Sequence, residues 1–206
     1  MEKKSDRKVV RVDGGVRRVQ IMDEAQRLIG ERGYNGFSIQ ELADRCSLTK
    51  AGLLHHFSSK EQILIDLLDD RTKRHQLDMK NWVARRKAAT VGWYDRATFI
   101  ESLKKSVERE IADVEMVRMH VMLQAETLCA SHPAHNYFNT REAMRQRRMA
   151  LALEHFCQDP QTTARHLLAL MDGLTAQWLR EHMNFDLAAQ FAAAISLQLP
   201  QPDDEN

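Results

Sequence analysis

The stretch "SIQELADRCSLTKAGLLHHFSSKE", residues 38–61, opens and closes on the same signature. Ser38-Ile-Gln-Glu41 and Ser58-Ser-Lys-Glu61 each place a glutamate three residues after a serine, the capping box that starts a helix. Between them Thr49 can cap another helix. Two short helices joined by a tight turn must therefore fit before the second box, and a third helix must begin there. Ile39, Leu42, Ala43 and Cys46 form a buried stripe on the first of the pair. The second ends near His55 and is too short and too polar to be a core element. Its composition makes sense if its outer face reads a surface, and the DNA major groove accepts a helix of this diameter. A helix-turn-helix supported by a preceding helix is the arrangement this spacing predicts.

The rest of the chain also reads as helix. Glycine and proline number only 8 and 4 in 206 residues, and they cluster at expected boundaries. No period-2 strand pattern and no internal repeat stands out. Helix 1 is expected from Val16 to Arg32, with Ile21, Ala25, Leu28 and Ile29 on one face and Gly33 as its C-terminal cap. Helix 4 is expected from Ser58 through Ile63, Leu64, Leu67 and Leu68 toward Trp82, without Gly or Pro to about Arg86. Further helices are expected from Asp95, over about Val114–Cys129, from Pro133 to Phe156, from Asp159-Pro160 to about His182, and from Asp186 to Leu199. Asp159-Pro160 is an N-cap followed by proline at the first helical position. The fold class is all-α with about nine helices. The organisation is a flexible basic arm (1–15), a helix-turn-helix domain (16–60), a helical regulatory and dimerisation domain (61–200) and an acidic tail (201–206).

Charge is unevenly spread. Residues 1–60 hold 12 Lys and Arg against 8 Asp and Glu, net +4, and residues 61–206 hold 18 against 21, net −3. The basic end hints at an anionic partner there. Arg17 and Arg18, at the start of helix 1, are phosphate candidates, and the Lys3-Lys4-Arg7-Lys8-Arg11 run is either a solvated tail or an arm along the DNA backbone. No apolar run reaches the roughly 18–20 residues of a membrane span. The charged N-terminus lacks a signal-peptide core. Three widely spaced cysteines fit a reducing cytoplasm rather than a disulfide framework.

Enzymatic chemistry finds little support. No nucleophile, metal or phosphate motif is present, and no cofactor is implied. Neighbouring residues do not share a helix face, so His55-His56 is a poor metal clamp. His132-Pro-Ala-His135 straddles a helix start and reads as surface or loop. The last two helices carry nearly two apolar stripes each where one would suffice, which implies a partner surface. The residues concerned include Leu167, Met171, Leu174, Trp178, Ala188, Ala192 and Ile195. Met116, Met119, His120, Trp82, Trp93 and Trp178 could line a cavity for a hydrophobic or aromatic molecule, since Met adapts to irregular spaces. The same residues are more often plain core.

"IMDEAQRLIGERGYNGFSIQELADRCSLTKAGLLHHFSSKEQILIDLL" resembles the N-terminal domain of the TetR/AcrR family of bacterial transcription regulators. The resemblance covers about residues 17–68. It is carried by "ERGY" at the end of helix 1, the Ser-Ile start of helix 2, "LTKAGLLHHF" as turn and recognition helix, and "SKE" before helix 4. The resemblance implies that Thr49, Lys50, Gly52, Leu54 and His55 lie on or beside the DNA-facing side. It implies that Ser38, Gln40, His56 and Lys60 lie at the rim near phosphates, with Ser38 and Ser58 presenting helix N-termini. Leu53 and Phe57 should point inward. The implied function is a ligand-responsive repressor, a homodimer on a palindromic operator released by a small effector, its last two helices pairing as a four-helix bundle. An alternative within the same family is control by protein partners, or activation, with no small ligand. Three positions depart from the family pattern. Ser47 stands for the usual turn glycine, Gly52 for a side chain that often reaches DNA, and Leu54 for a common tyrosine.

Overall fold

The computed structural model describes residues 14–70 and 96–199. Among these residues there are nine helical segments and no strand. The first is α1 (Gly14–Arg32), followed by α2 (Ile39–Arg45), α3 (Lys50–His56) and α4, whose described part is residues 60–70. Then come α5 (Arg96–Glu110), α6 (Val114–Glu126), α7 (His135–Leu153), α8 (Pro160–Arg180) and α9 (Leu187–Gln198).

Local chemistry accounts for most boundaries. Gly33 closes α1 at φ 74, and its N–H donates to the Ile29 carbonyl at 2.8 Å. Glycine enters this left-handed region without the Cβ clash that other residues meet. Gly14 and Gly15, expected in the basic arm, are instead the first residues of α1. Asp113, Asp159 and Asp186 each accept a backbone N–H at the start of α6, α8 and α9, from Met116, Thr162 and Ala189. Pro160 at the first turn of α8 lacks only an N–H that would have no helical partner. The expected continuation of helix 4 to Arg86, with Trp82, and the Asp95 start lie outside the described residues, as do the arm over 1–13 and the acidic tail.

Two buried clusters share α6. The first joins α1–α4 to Met116, Met119 and Leu123 of α6 and to Ala134 and Phe138. The second is built from Phe99 and Val107 of α5, Val117, the end of α7 and the inner faces of α8 and α9. Met116 and Val117, about 100° apart around the helix, point to different clusters. α1 runs along α6 and meets it closely at Gly30, where a Cβ would stand 3.3 Å from the Arg118 side chain and the Met119 backbone nitrogen. The ends of that junction are polar. Gln26 donates to Asp113 at 3.2 Å, and the Tyr34 N–H donates to the Glu126 carboxylate at 2.7 Å.

Four residues assigned to a partner surface are buried in the chain's own second core: Leu167, Trp178, Ala188 and Ile195. Met171 and Leu174 pack partly against the same core, and Ala192 is half-buried. The outer faces of these helices are a different set, with Ala169, Gly173, Ala193 and Leu197 exposed, Leu197 by 89%. Counting apolar residues on a helix showed that a second stripe exists. It could not say which stripe the chain itself covers.

Candidate nucleic-acid interface

The turn between α2 and α3 is made by backbone hydrogen bonds. Ser47 N–H donates to the Asp44 carbonyl at 3.0 Å and Leu48 N–H to the Ala43 carbonyl at 2.8 Å. That pair of bonds is the Schellman closure, which requires a left-handed residue just past the cap. Ser47 supplies it at φ 54. Of the two outcomes open for this serine, the strained one holds, at a cost of about 1–2 kcal/mol relative to right-handed backbone.

Caps set the direction in which α2, α3 and α4 start. Ser38 Oγ accepts from Glu41 N–H at 3.1 Å, and Thr49 Oγ1 accepts from Gly52 N–H at 3.0 Å. Each hydroxyl keeps its own proton, and both residues are exposed, so each can still donate outward. The second capping box is shifted by one residue from expectation. Ser59, not Ser58, caps α4, accepting from Gln62 N–H at 3.0 Å. The sequence Ser59-Lys-Glu-Gln62 satisfies the same motif, so pattern alone could not choose between two adjacent serines.

α3 has one inner contact and one outer face. Leu53 is fully buried, and Phe57 just beyond the helix is 1% exposed. Lys50, Ala51, Leu54 and His55 are exposed, while Gly52 and His56 are half-buried. Lys50 has no ion-pair partner among the described residues. A Cβ on Gly52 would lie 3.2 Å from Thr49 Oγ1, so the missing side chain leaves the cap undisturbed. The His55 and His56 rings meet edge to face at 5.8 Å, and no group of three metal-binding side chains occurs among the described residues. Gln40 is exposed and donates to Asp44 at 2.8 Å.

Two of the expected phosphate contacts are occupied internally. Lys60 donates to the Phe37 carbonyl at 2.6 Å, and its ammonium lies 4.6 Å from the Tyr34 ring and 4.3 Å from the Phe37 ring. Burial pushes this ammonium below its ordinary value, opposed by the Glu126 carboxylate. Lys60 ties the start of α4 to the α1–α2 loop, with its ammonium half-buried there. Arg18 donates to the His56 carbonyl at 2.6 Å and pairs with Asp66. Arg17 reaches only the Cys46 carbonyl, at 3.5 Å, and is the outward member of the arginine pair.

Sequence reasoning missed the contact that joins this domain to α6 and the loop after it. Tyr34 is held by Glu126 from one side, and the buried His132 ring stands 5.1 Å from the tyrosine ring. His132, read as surface or loop, accepts from Ala134 N–H at Nδ1 and leaves Nε2 without a hydrogen bond, 3.9 Å from Glu126. Burial holds its imidazole below the ordinary value, with Glu126 opposing and His135 reinforcing the shift. Its loop position was visible in the sequence. Its burial under Tyr34, almost a hundred residues earlier in the chain, was not.

The described candidate effector residues divide between the two cores, with Trp178 apart from the rest. Met116 and Met119 belong to the first core, Trp178 to the second, and His120 stacks on Phe138 at 5.3 Å. Trp82 and Trp93 lie outside the described residues. A hollow of ≈ 260 Å³ opens between α1 and the start of α6, lined by Asp23, Gln26, Arg27, Asp113 and Glu115. Its lining is polar, unlike the hydrophobic setting expected for the effector.

The fold and this exposed face define an all-helical helix-turn-helix protein. Residues 21–67 match the family model of bacterial regulatory proteins of the tetR family, so this N-terminal domain is of the tetR type. It is 35% identical over 63 residues to the HTH-type transcriptional regulator YuxN of Bacillus subtilis, covering 29% of this chain and 22% of that protein. It is 35% identical over 52 residues to the HTH-type transcriptional repressor KstR2 of Rhodococcus jostii, covering 25% of this chain and 26% of that one. The alignments therefore span about a quarter of these relatives' lengths. Solved structures extend the likeness in fold to the remaining helices. The regulator FadR of Bacillus subtilis, in complex with stearoyl-CoA, superposes with a TM-score of 0.67 at 16% identity, over 88% of this chain and 97% of that one. A regulator of Saccharomonospora viridis in complex with choline gives 0.65 at 21%, over 91% and 100%. Among the described residues no helix is long and apolar enough to cross a membrane.

Proposed function

We propose that this chain represses transcription in the cytoplasm by occupying a palindromic DNA operator as a homodimer, and that a small hydrophobic or aromatic effector releases it. The observation that carries the reading is the division of α3. Leu53 and Phe57 fasten it from inside, while Thr49, Lys50, Leu54 and His55 face out together. Lys50 supplies charge, Thr49 a hydroxyl donor and Leu54 an apolar contact of the kind that meets a thymine methyl. Ser38, Gln40, His56 and Arg17 form the rim. Residues 16–60 act as the reading domain and 61–200 as the regulatory and dimerisation domain.

The dimer uses the outer faces of α8 and α9 around Ala169, Gly173, Ala193 and Leu197, because the inner faces are already covered. Two recognition helices then sit about 34–36 Å apart, one turn of duplex. Effector control is extended to this chain from fold relatives whose structures hold stearoyl-CoA and choline. The scatter of Met116, Met119 and Trp178 over two cores favours a second reading, in which a protein partner replaces the effector. Selection of duplexes from a randomised pool tests the first claim, followed by titration of Lys50→Ala. A palindromic consensus is expected, with weaker binding by the variant. Equal binding by a folded variant would refute the assigned face. Release of that duplex by acyl thioesters or aromatic compounds separates effector control from partner control.

A further inference from the structure

We propose that Arg18 is a positioning residue for DNA recognition, locking the joint between α3 and α4 and so setting the attitude of the recognition helix. This rests on the proposed role of α3 as the helix that reads DNA. Only residues 57–59 separate the end of α3 from the start of α4. The Arg18 guanidinium touches both sides of that joint. One nitrogen donates to the His56 carbonyl, the last of α3, at 2.6 Å, and another pairs with Asp66 in α4. Its centre stands 4.0 Å from the centroid of Phe57, the residue between them. Asp66 is itself oriented by Gln62, which donates to its other oxygen at 2.8 Å.

The tie matters because α3 has few others. It is seven residues long and buries only Leu53. A helix of that length spans about 10 Å, so a tilt of roughly 10° about Leu53 moves its ends by about 1 Å. Hydrogen bonds to base edges weaken over such displacements. A cation at the C-terminal carbonyls is also favoured by the helix dipole. Two guanidinium nitrogens and one face are spent on this tie while the side chain stays 43% exposed, so the role assigned to Arg18 is to hold the helix that reads DNA rather than to bind the duplex. Arg17 next to it points elsewhere, as adjacent helical residues do.

The test uses the full chain and the duplex that the wild type enriches from a randomised pool. Arg18→Met and Asp66→Asn should each weaken binding about tenfold and narrow the preference over a scrambled duplex, and the double variant should be little worse than the weaker single. The salt dependence should not change, whereas loss of a phosphate contact lowers the slope by about one. Asp66→Asn is the sharper arm, since removing an acid beside the interface would on charge alone tighten binding. Where Arg18→Met melts early, Arg18→Lys replaces it. Lysine keeps the charge but not the fork, and should behave like Met. Without DNA, amide exchange at residues 54–59 should quicken about tenfold in both variants, with the rest of the chain unchanged. A salt slope lowered by about one in Arg18→Met, with Asp66→Asn binding as tightly as wild type, would overturn the proposal. Unaltered exchange at 54–59 would overturn it as well. If the wild type enriches no duplex, the interface reading falls and the recognition role with it, while exchange still decides whether the joint exists.

Discussion

Replacing Ser47 by glycine should stabilise the protein without touching any side-chain contact. Ser47 sits at φ 54, between the last bonds of α2 and the cap of α3, and its side chain is exposed. Its hydroxyl makes no hydrogen bond within the described residues, so deleting it removes no interaction. Left-handed backbone costs a residue with a Cβ about 1–2 kcal/mol, and glycine avoids this. Glycine also has more freedom to lose on folding, which returns roughly 0.5–1 kcal/mol. The difference leaves a net gain of about 0.5–1 kcal/mol. For a chain of this size that corresponds to a midpoint rise of roughly 1–4 °C. Ser47→Ala keeps the Cβ and should differ from wild type by less than about 0.5 kcal/mol. Urea titrations of the three proteins would measure both changes. A glycine variant no more stable than wild type, or an alanine variant that gains as much, would show that strain at this turn is not what the serine contributes.

Lys60→Met should cost about 1–2 kcal/mol, because the Phe37 carbonyl loses its donor while the packing on Tyr34 and Phe37 is kept. The salt slope of duplex binding should stay as in wild type, and a fall of about one would return Lys60 to the phosphate rim. His132 should make stability sensitive to acid. Its folded value is depressed, so its contribution is fully present above the unfolded value of about 6.5 and is lost as pH falls through the folded one. Melting temperatures between about pH 7 and pH 5 should therefore drop further for wild type than for His132→Gln, and parallel curves would exclude His132 as the cause. Leu197→Glu, at a site 89% exposed in the single chain, should yield monomers by light scattering with little change in secondary structure. Trp178→Arg, inside the second core, should instead unfold that half of the chain.

The inward Leu53 and Phe57 followed from the resemblance, whereas the all-helical class, the start of α2 at Ile39, the Gly33 cap and the Thr49 cap were all legible in the sequence. Each depends on residues within a few positions of one another, through a cap, a turn or a 3.6-residue stripe. Ser47 marks the edge of that reach. The sequence posed the choice between strain and an altered turn, and only the fold settled it as strain.

The uses of Arg18, Lys60, Glu126 and His132 could not be read locally. An arginine on an exposed helical turn looks the same whether it meets a phosphate or a carboxylate 48 residues away, as Arg18 meets Asp66. The stripes of α8 and α9 were equally ambiguous, because a helix with two apolar faces does not state which one its own chain covers. Composition and spacing determined the elements, and the resemblance supplied the expected outward face of α3. Tertiary packing decided which charges remain free on that face and which are consumed in holding it, because burial and ion pairing depend on residues that only folding brings into contact.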